Sequence, residues 1–133
     1  IEKKIYNIPK YGTINLHAGK RPEYRGGSPL NWQIINNEKK IGISIIKLTQ
    51  KLDAGDIICS KKFDLKNGYD INKVHELSNK YFSLLTINAI QKILKNKKFK
   101  KQDVKKAKYW RQRKELDGFL DFKTMKDIEV LTL

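Results

Sequence analysis

Two apolar runs followed by a long helical repeat constrain the fold of this chain more than any other feature. Ile41, Ile43 and Ile45 alternate, with Ile46 and Leu48 after them, so residues 41–48 read as a strand. A loop over Thr49 to Asp56 leads to a second strand, Ile57 to Leu65. Lys66-Asn67-Gly68 is a turn, and Asp70 is placed to cap a helix. Ile71, Val74, Leu77, Tyr81, Leu84, Leu85, Ile90 and Ile93 then recur close to the helical period and predict one long helix ending around Leu94 to Asn96. Upstream, Thr13 to His17 reads as a short buried strand and Ala18 to Gly27 as a loop. Ser28-Pro29 opens a helix, with serine as cap and proline at the first helical position. Leu30, Ile34 and Ile35 form its inner face, and it ends near Asn36-Asn37. This order of elements predicts an α/β domain, with helices covering a mixed sheet. No G-x-G-x-x-G is present, so periodicity alone does not identify a nucleotide-binding fold.

Composition narrows the function classes. With 133 residues and 39% hydrophobic content, the chain is one modest domain with enough apolar material for a core. No apolar run approaches a membrane span and no signal-peptide pattern opens the chain, so the expectation is a cytoplasmic protein with no membrane partner. The opening Ile1-Glu2-Lys3-Lys4-Ile5 looks like a cut through a longer protein. A single cysteine, Cys59, excludes an internal disulfide and a cysteine metal cluster, and it reads as an inert strand residue. The net charge of +15 suggests nucleic acid at first sight, but lysine is spread over most of the chain. It is densest from Lys92 to Lys114, which reads as a solvated connector in preference to an RNA- or phosphate-binding strip.

The chemistry sits in Asn15-Leu16-His17 and in Leu52-Asp53-Ala54-Gly55-Asp56. On a strand, residues 15 and 17 point to the same side, and the loop carrying Asp53 can close over that face. An amide to hydrogen-bond an acyl oxygen, an imidazole to stabilise charge or carry a proton, and a carboxylate to hold the imidazole are the groups needed to move an acyl carbon onto an amine. No metal is required. Each residue alone reads as a satisfied core histidine or a turn carboxylate; the ordered triple does not. His75 reads as a surface or packing residue and Trp32 as core, and Tyr109-Trp110 as packing against the main domain.

Asn15-Leu16-His17, then Pro22-Glu23-Tyr24-Arg25-Gly26-Gly27, then Leu52-Asp53-Ala54-Gly55-Asp56-Ile57-Ile58, in that order, resemble the catalytic half of the formyltransferases that use 10-formyltetrahydrofolate. The resemblance runs from about Ile8 to Leu65, with a weaker echo from Tyr109 to Leu131. It implies the second half of a Rossmann-like formyltransferase catalytic domain over residues 1–97, and a basic connector with the start of a C-terminal segment over 98–133. It implies Asn15, His17 and Asp53 as catalytic residues, 10-formyltetrahydrofolate as formyl donor, and Gly55 and Asp56 in the loop around its pterin ring. Asp53 is expected to orient His17, raise its pKa and accept the proton of the amine.

Arg25 with Gly26 can meet substrate, Arg25 binding a phosphate, or can simply stabilise the loop. Many sequences of this family carry Ser-Leu-Leu-Pro after the histidine, where this chain has Ala18-Gly19-Lys20-Arg21-Pro22. The resemblance implies that this loop faces the acceptor, so acceptor identity is where the chain departs. Tyr109 to Arg113 and Asp117 to Phe122 are similar to the segment that follows the catalytic domain in sugar-nucleotide formyltransferases. The expected acceptor is therefore the amine of an amino-sugar nucleotide, with methionyl-tRNA as the alternative and a catalytically inactive binding module as the reading from another class. A homodimer is common among the sugar enzymes.

Overall fold

The computed structural model describes residues 2–119. At its centre lies β3 (Lys40–Lys47), flanked on one edge by β1 (Ile14–His17) and on the other by β4 (Ile57–Asp64), both antiparallel to it. A separate parallel pair joins β2 (Arg25–Gly26) to β5 (Tyr109–Trp110), and the helices are α1 (Lys3–Tyr6), α2 (Pro29–Ile35) and α3 (Ile71–Leu94). The α/β class is as the sequence predicts. β2 falls where the sequence predicts loop. A two-residue strand has no periodicity to read, and its partner lies far downstream.

Only the end residues of β3 are exposed, so this strand is covered on both faces. Ile41, Ile43 and Ile45 form one side of the core with Leu30, Phe63, Val74 and Ala89. Each buried isoleucine contributes about 1.5–3 kcal/mol. The intervening residues Gly42 and Ser44 lie under the loop that follows β1. Gln33 of α2, fully buried, exchanges hydrogen bonds with the Gly42 main chain, accepting its N–H at 2.7 Å and donating to its carbonyl at 3.2 Å. Ser44 donates to the Gly19 carbonyl at 3.1 Å.

Asp70 caps α3 as expected, accepting the Lys73 N–H at 2.8 Å. Val74, Ser78 and Ala89 are the buried positions of this helix, with Phe82 and Leu85 packed alongside. Leu84 and Ile90, expected on the inner face, are exposed. At about 100° per residue, Leu85 comes round nearly above Val74, while Leu84 and Ile90 turn away. Ser28 also departs from expectation. Its backbone is left-handed (φ 45°) and its hydroxyl makes no cap bond to α2; it accepts the Arg113 N–H at 3.0 Å instead. Pro29 does open the helix.

After α3 the chain returns along the domain. Lys100 and Ile57 exchange main-chain hydrogen bonds of 3.1 and 2.8 Å beside β4. Trp110 stacks on Tyr24, with ring centroids 5.6 Å apart, and meets Trp32 at 5.0 Å. Tyr109-Trp110 therefore packs against the main domain, and Trp32 is half-buried against it. Lys98, Lys101, Lys105 and Lys106 are exposed, as is His75 on α3. Leu120, Asp121 and Phe122, part of the segment similar to the sugar enzymes, lie outside the described residues. Among the described residues no helix is long and apolar enough to cross a membrane.

Candidate active site

The site is assembled where β1 meets the β3–β4 loop. Register places Asn15 opposite Ile46 and His17 opposite Ser44, two residues apart on one side of β1. The loop brings Asp53 to them in a left-handed conformation (φ 51°), which aspartate tolerates better than most residues. Asp53 Oδ1 accepts the Asn15 amide at 3.2 Å. Its Oδ2 accepts the Gly26 main-chain N–H at 2.9 Å and lies 3.5 Å from His17 Nδ1. The three residues singled out in the sequence are thus in mutual reach, with His17 and Asp53 buried.

A fourth residue, Arg21, completes the cluster, and the sequence pattern did not mark it. Its side chain is fully buried, with Nη2 3.2 Å from Asp53 Oδ2 and Nη1 donating to the Tyr24 carbonyl at 3.2 Å. Its Nε and Nη2 have no hydrogen-bond partner among the described residues, so Nη2 meets Asp53 as an ion pair. In the sequence Arg21 reads as part of a charged, solvated loop. Only the fold reveals it, by burying the residue before Pro22 in the loop that follows β1.

The same Tyr24 carbonyl lies 2.7 Å from His17 Nε2. A carbonyl only accepts, so Nε2 carries a hydrogen, and when the ring is neutral its Nδ1 lone pair faces Asp53. Burial, followed by the Arg21 charge, pulls the His17 pKa down to about 4, against the smaller upward pull of Asp53. The expected upward shift is therefore reversed, because desolvation of the imidazolium and a second cation outweigh one carboxylate. Burial pushes the Asp53 carboxyl up, but the Gly26 N–H and the charges of His17 and Arg21 outweigh it and hold the pKa below its ordinary value. Arg21, brought down to about 10 chiefly by burial, is still protonated at neutral pH. The resting site is an ionised Asp53 paired with Arg21 beside a neutral His17.

The remaining sequence candidates hold the site's walls. The Arg25 guanidinium is buried and bonded to Gln102 and to the Tyr109 hydroxyl, which ties it to the loop. Gly26 has φ 92°, and a Cβ there would lie 2.2 Å from the Trp110 oxygen; its N–H belongs to Asp53. Gly55 presses on the Lys47 carbonyl, where a Cβ would sit at 1.7 Å, and its own carbonyl accepts from Gln102 at 2.6 Å. The Asp56 carbonyl accepts the Lys47 N–H at 2.9 Å and closes the base of the loop. Cys59 is buried in β4, away from this cluster. No group of three His, Cys, Asp or Glu residues suited to a metal ion occurs among the described residues.

Comparison with known proteins places this arrangement. It is an α/β domain whose candidate site groups an amide, an imidazole and a carboxylate. Residues 1–90 match the family model described as Formyl transferase, so the chain belongs to that family. It is similar to the methionyl-tRNA formyltransferase of Sulfurihydrogenibium sp. (strain YO3AOP1), 36% identical over 123 residues, covering 92% of this chain and 40% of that protein. The Bacillus subtilis (strain 168) methionyl-tRNA formyltransferase is 37% identical over 110 residues, covering 82% and 35% respectively. The chain thus spans about two fifths or less of the length of these relatives. Among solved structures, the methionyl-tRNA formyltransferase from Clostridium thermocellum superposes with a TM-score of 0.75 at 27% identity, covering 99% of this chain and 55% of that one. The Helicobacter canadensis N-formyltransferase, solved with folinic acid and dTDP-3-aminofucose, gives 0.78 at 22% identity, covering 90% and 45%, a likeness of fold.

Proposed function

We propose that the protein containing this chain transfers a formyl group from 10-formyltetrahydrofolate to the primary amine of an amino-sugar nucleotide. The observation that carries the formyl-transfer reading is Asp53, held ionised between the Asn15 amide and the His17 ring, while the sugar acceptor rests on the resemblance of Tyr109 to Arg113 to the segment that follows the catalytic domain in the sugar enzymes. The donor set fits a formyl donor, because a hydrogen-bonding amide stands next to a basic pair. When bound, the donor would supply a formyl carbon that the amine attacks, placing negative charge on the formyl oxygen before the bond to the folate nitrogen breaks.

Asn15 has one amide N–H on Asp53 and a second for the formyl oxygen, where negative charge develops. The Nδ1 lone pair of His17 and the Asp53 carboxylate, 3.5 Å apart, are the basic atoms. A proton released by the attacking amine is held between them as Nδ1–H···Oδ2 and is then returned to the folate nitrogen. In this reading Gly55 and Asp56 shape the donor's loop through their main chains, and Arg25 and Gly26 position Asp53.

Methionyl-tRNA is the second acceptor to consider, favoured by the names of the relatives at 36% and 37% identity and by the exposed lysines after α3. The test is formyl transfer by the intact protein, with 10-formyltetrahydrofolate, to an amino-sugar nucleotide and to methionyl-tRNA. His17→Ala and Asp53→Ala serve as controls. Transfer to the sugar that vanishes in both variants supports the reading. Transfer to tRNA alone replaces the acceptor, and transfer to neither rejects both.

A further inference from the structure

We propose that Arg21 is a positioning residue that acts with the burial of His17 to hold that ring neutral: it takes up the charge of Asp53, which would otherwise draw a proton onto His17 Nδ1. The catalytic consequence rests on the formyl-transfer reading; the placement of the proton does not.

Arg21 and His17 compete for the same two acceptors. Tyr24 O is 2.7 Å from His17 Nε2 and 3.2 Å from Arg21 Nη1, and Asp53 Oδ2 is 3.5 Å from His17 Nδ1 and 3.2 Å from Arg21 Nη2. With both bases protonated, two buried cations would share one carboxylate and leave net positive charge out of water. That arrangement is costly, so the weaker base releases its proton. A guanidinium is far more basic than an imidazole, and the imidazole is the one that yields. The charged groups around His17 come from three elements. Asp53 approaches from the β3–β4 loop, Arg21 from the loop after β1, and Arg25 of β2 acts through Arg21, while Ser44 opposite His17 on β3 does not titrate. Burial is the first cause that lowers the His17 pKa, and the Arg21 charge adds to it in the same direction.

A second effect comes from Arg21 being fully buried. The carboxylate keeps a charged partner throughout the reaction, so Asp53 needs no proton of its own to remain in the site. The Nδ1 position stays vacant until the amine proton arrives. With an apolar side chain in place of Arg21, Asp53 would act on His17 unopposed by a second cation, and the ring would hold a proton to higher pH than in the wild type.

The test is histidine-selective NMR on the intact protein. The chain's two histidines are told apart with His17→Asn, leaving exposed His75 as the reference. Wild-type His17 is expected to be the neutral Nε2–H tautomer at about pH 6, below the ordinary imidazole midpoint. Arg21→Met should raise its titration midpoint by about one unit or more and carry the acid limb of the kcat/KM profile with it. Arg21→Lys, which keeps the charge, should leave the midpoint low.

An imidazolium in the wild type at that pH overturns the proposal, and so does an unchanged midpoint in folded Arg21→Met. If Arg21→Met does not fold, Arg21→Gln replaces it: a His17 midpoint raised above the wild type supports the proposal, and an unchanged one overturns it. Failure of formyl transfer in the wild type would reject the activity while leaving the titration result standing.

Discussion

A single oxygen of Gln102 accepts both Nε and Nη2 of Arg25, at 3.0 and 2.8 Å. The other end of the same amide donates to the main-chain oxygens of Asp53 and Gly55, at 2.9 and 2.6 Å. One side chain from the segment after α3 therefore ties β2 to the loop that presents the site carboxylate.

Gln102→Ala removes all four bonds and leaves a buried guanidinium short of acceptors. The expected cost is about 1–3 kcal/mol in urea unfolding, with a fall in kcat from the loosened Asp53 loop. Unchanged stability together with unchanged kcat would show that this bridge does not hold the loop.

Asn15→Ala removes the one amide placed to meet the developing oxyanion. A drop of about 10²–10³-fold in kcat is expected, with little change in KM. A loss carried by KM would instead make Asn15 a ground-state binding group.

Acid should weaken the fold through His17. Its pKa is about 4 in the folded protein against an ordinary 6.5, so below 6.5 the unfolded chain takes up a proton that the folded site refuses. The stability is complete above about pH 6.5, declines as the pH falls toward 4, and levels below that, for a loss of roughly 3 kcal/mol. Urea midpoints measured across this range should show the slope, and His17→Asn should flatten it. Loss of the Asp53–Arg21 pair acts in the same direction at lower pH, as the carboxyl, whose pKa is also lowered, becomes protonated.

Gly55→Ala should be among the most damaging small substitutions, because the new Cβ would lie 1.7 Å from the Lys47 carbonyl oxygen. Backbone cannot turn aside as a side chain does, so a loss of about 1–3 kcal/mol or more is expected. Gly118→Ala, with nothing within 4 Å of the new atom, is the control and should stay within about 0.5 kcal/mol of the wild type. Thermal unfolding of both variants provides the comparison, and equal midpoints would contradict the packing at Gly55.

Much of this protein is local information, and that part was legible from the residues. Alternating isoleucines mark β3 because strand side chains alternate faces, and the repeat after Asp70 marks α3 because helix neighbours recur every three to four residues. Asn15, His17 and Asp53 were recognisable by their chemistry and order, and the α/β class followed from the succession of elements. What the residues could not declare depends on partners distant in the chain. β2 exists because Tyr109-Trp110 returns to it, and Ser28 gives up its cap because Arg113 reaches its hydroxyl. Leu84 and Ile90 face outward because the inner stripe of α3 is set by what the sheet presents.

The electrostatic state of the site belongs wholly to the tertiary structure. His17 and Asp53 by themselves suggest a raised imidazole pKa, since opposite charges attract. Burial and the approach of Arg21 reverse that sign, because desolvation and a second cation act only once the chain has closed around the ring. The sequence by itself marked Asn15, His17 and Asp53 as a candidate set; the arrival of Arg21 and the charges of the cluster were decided by how the fold encloses them.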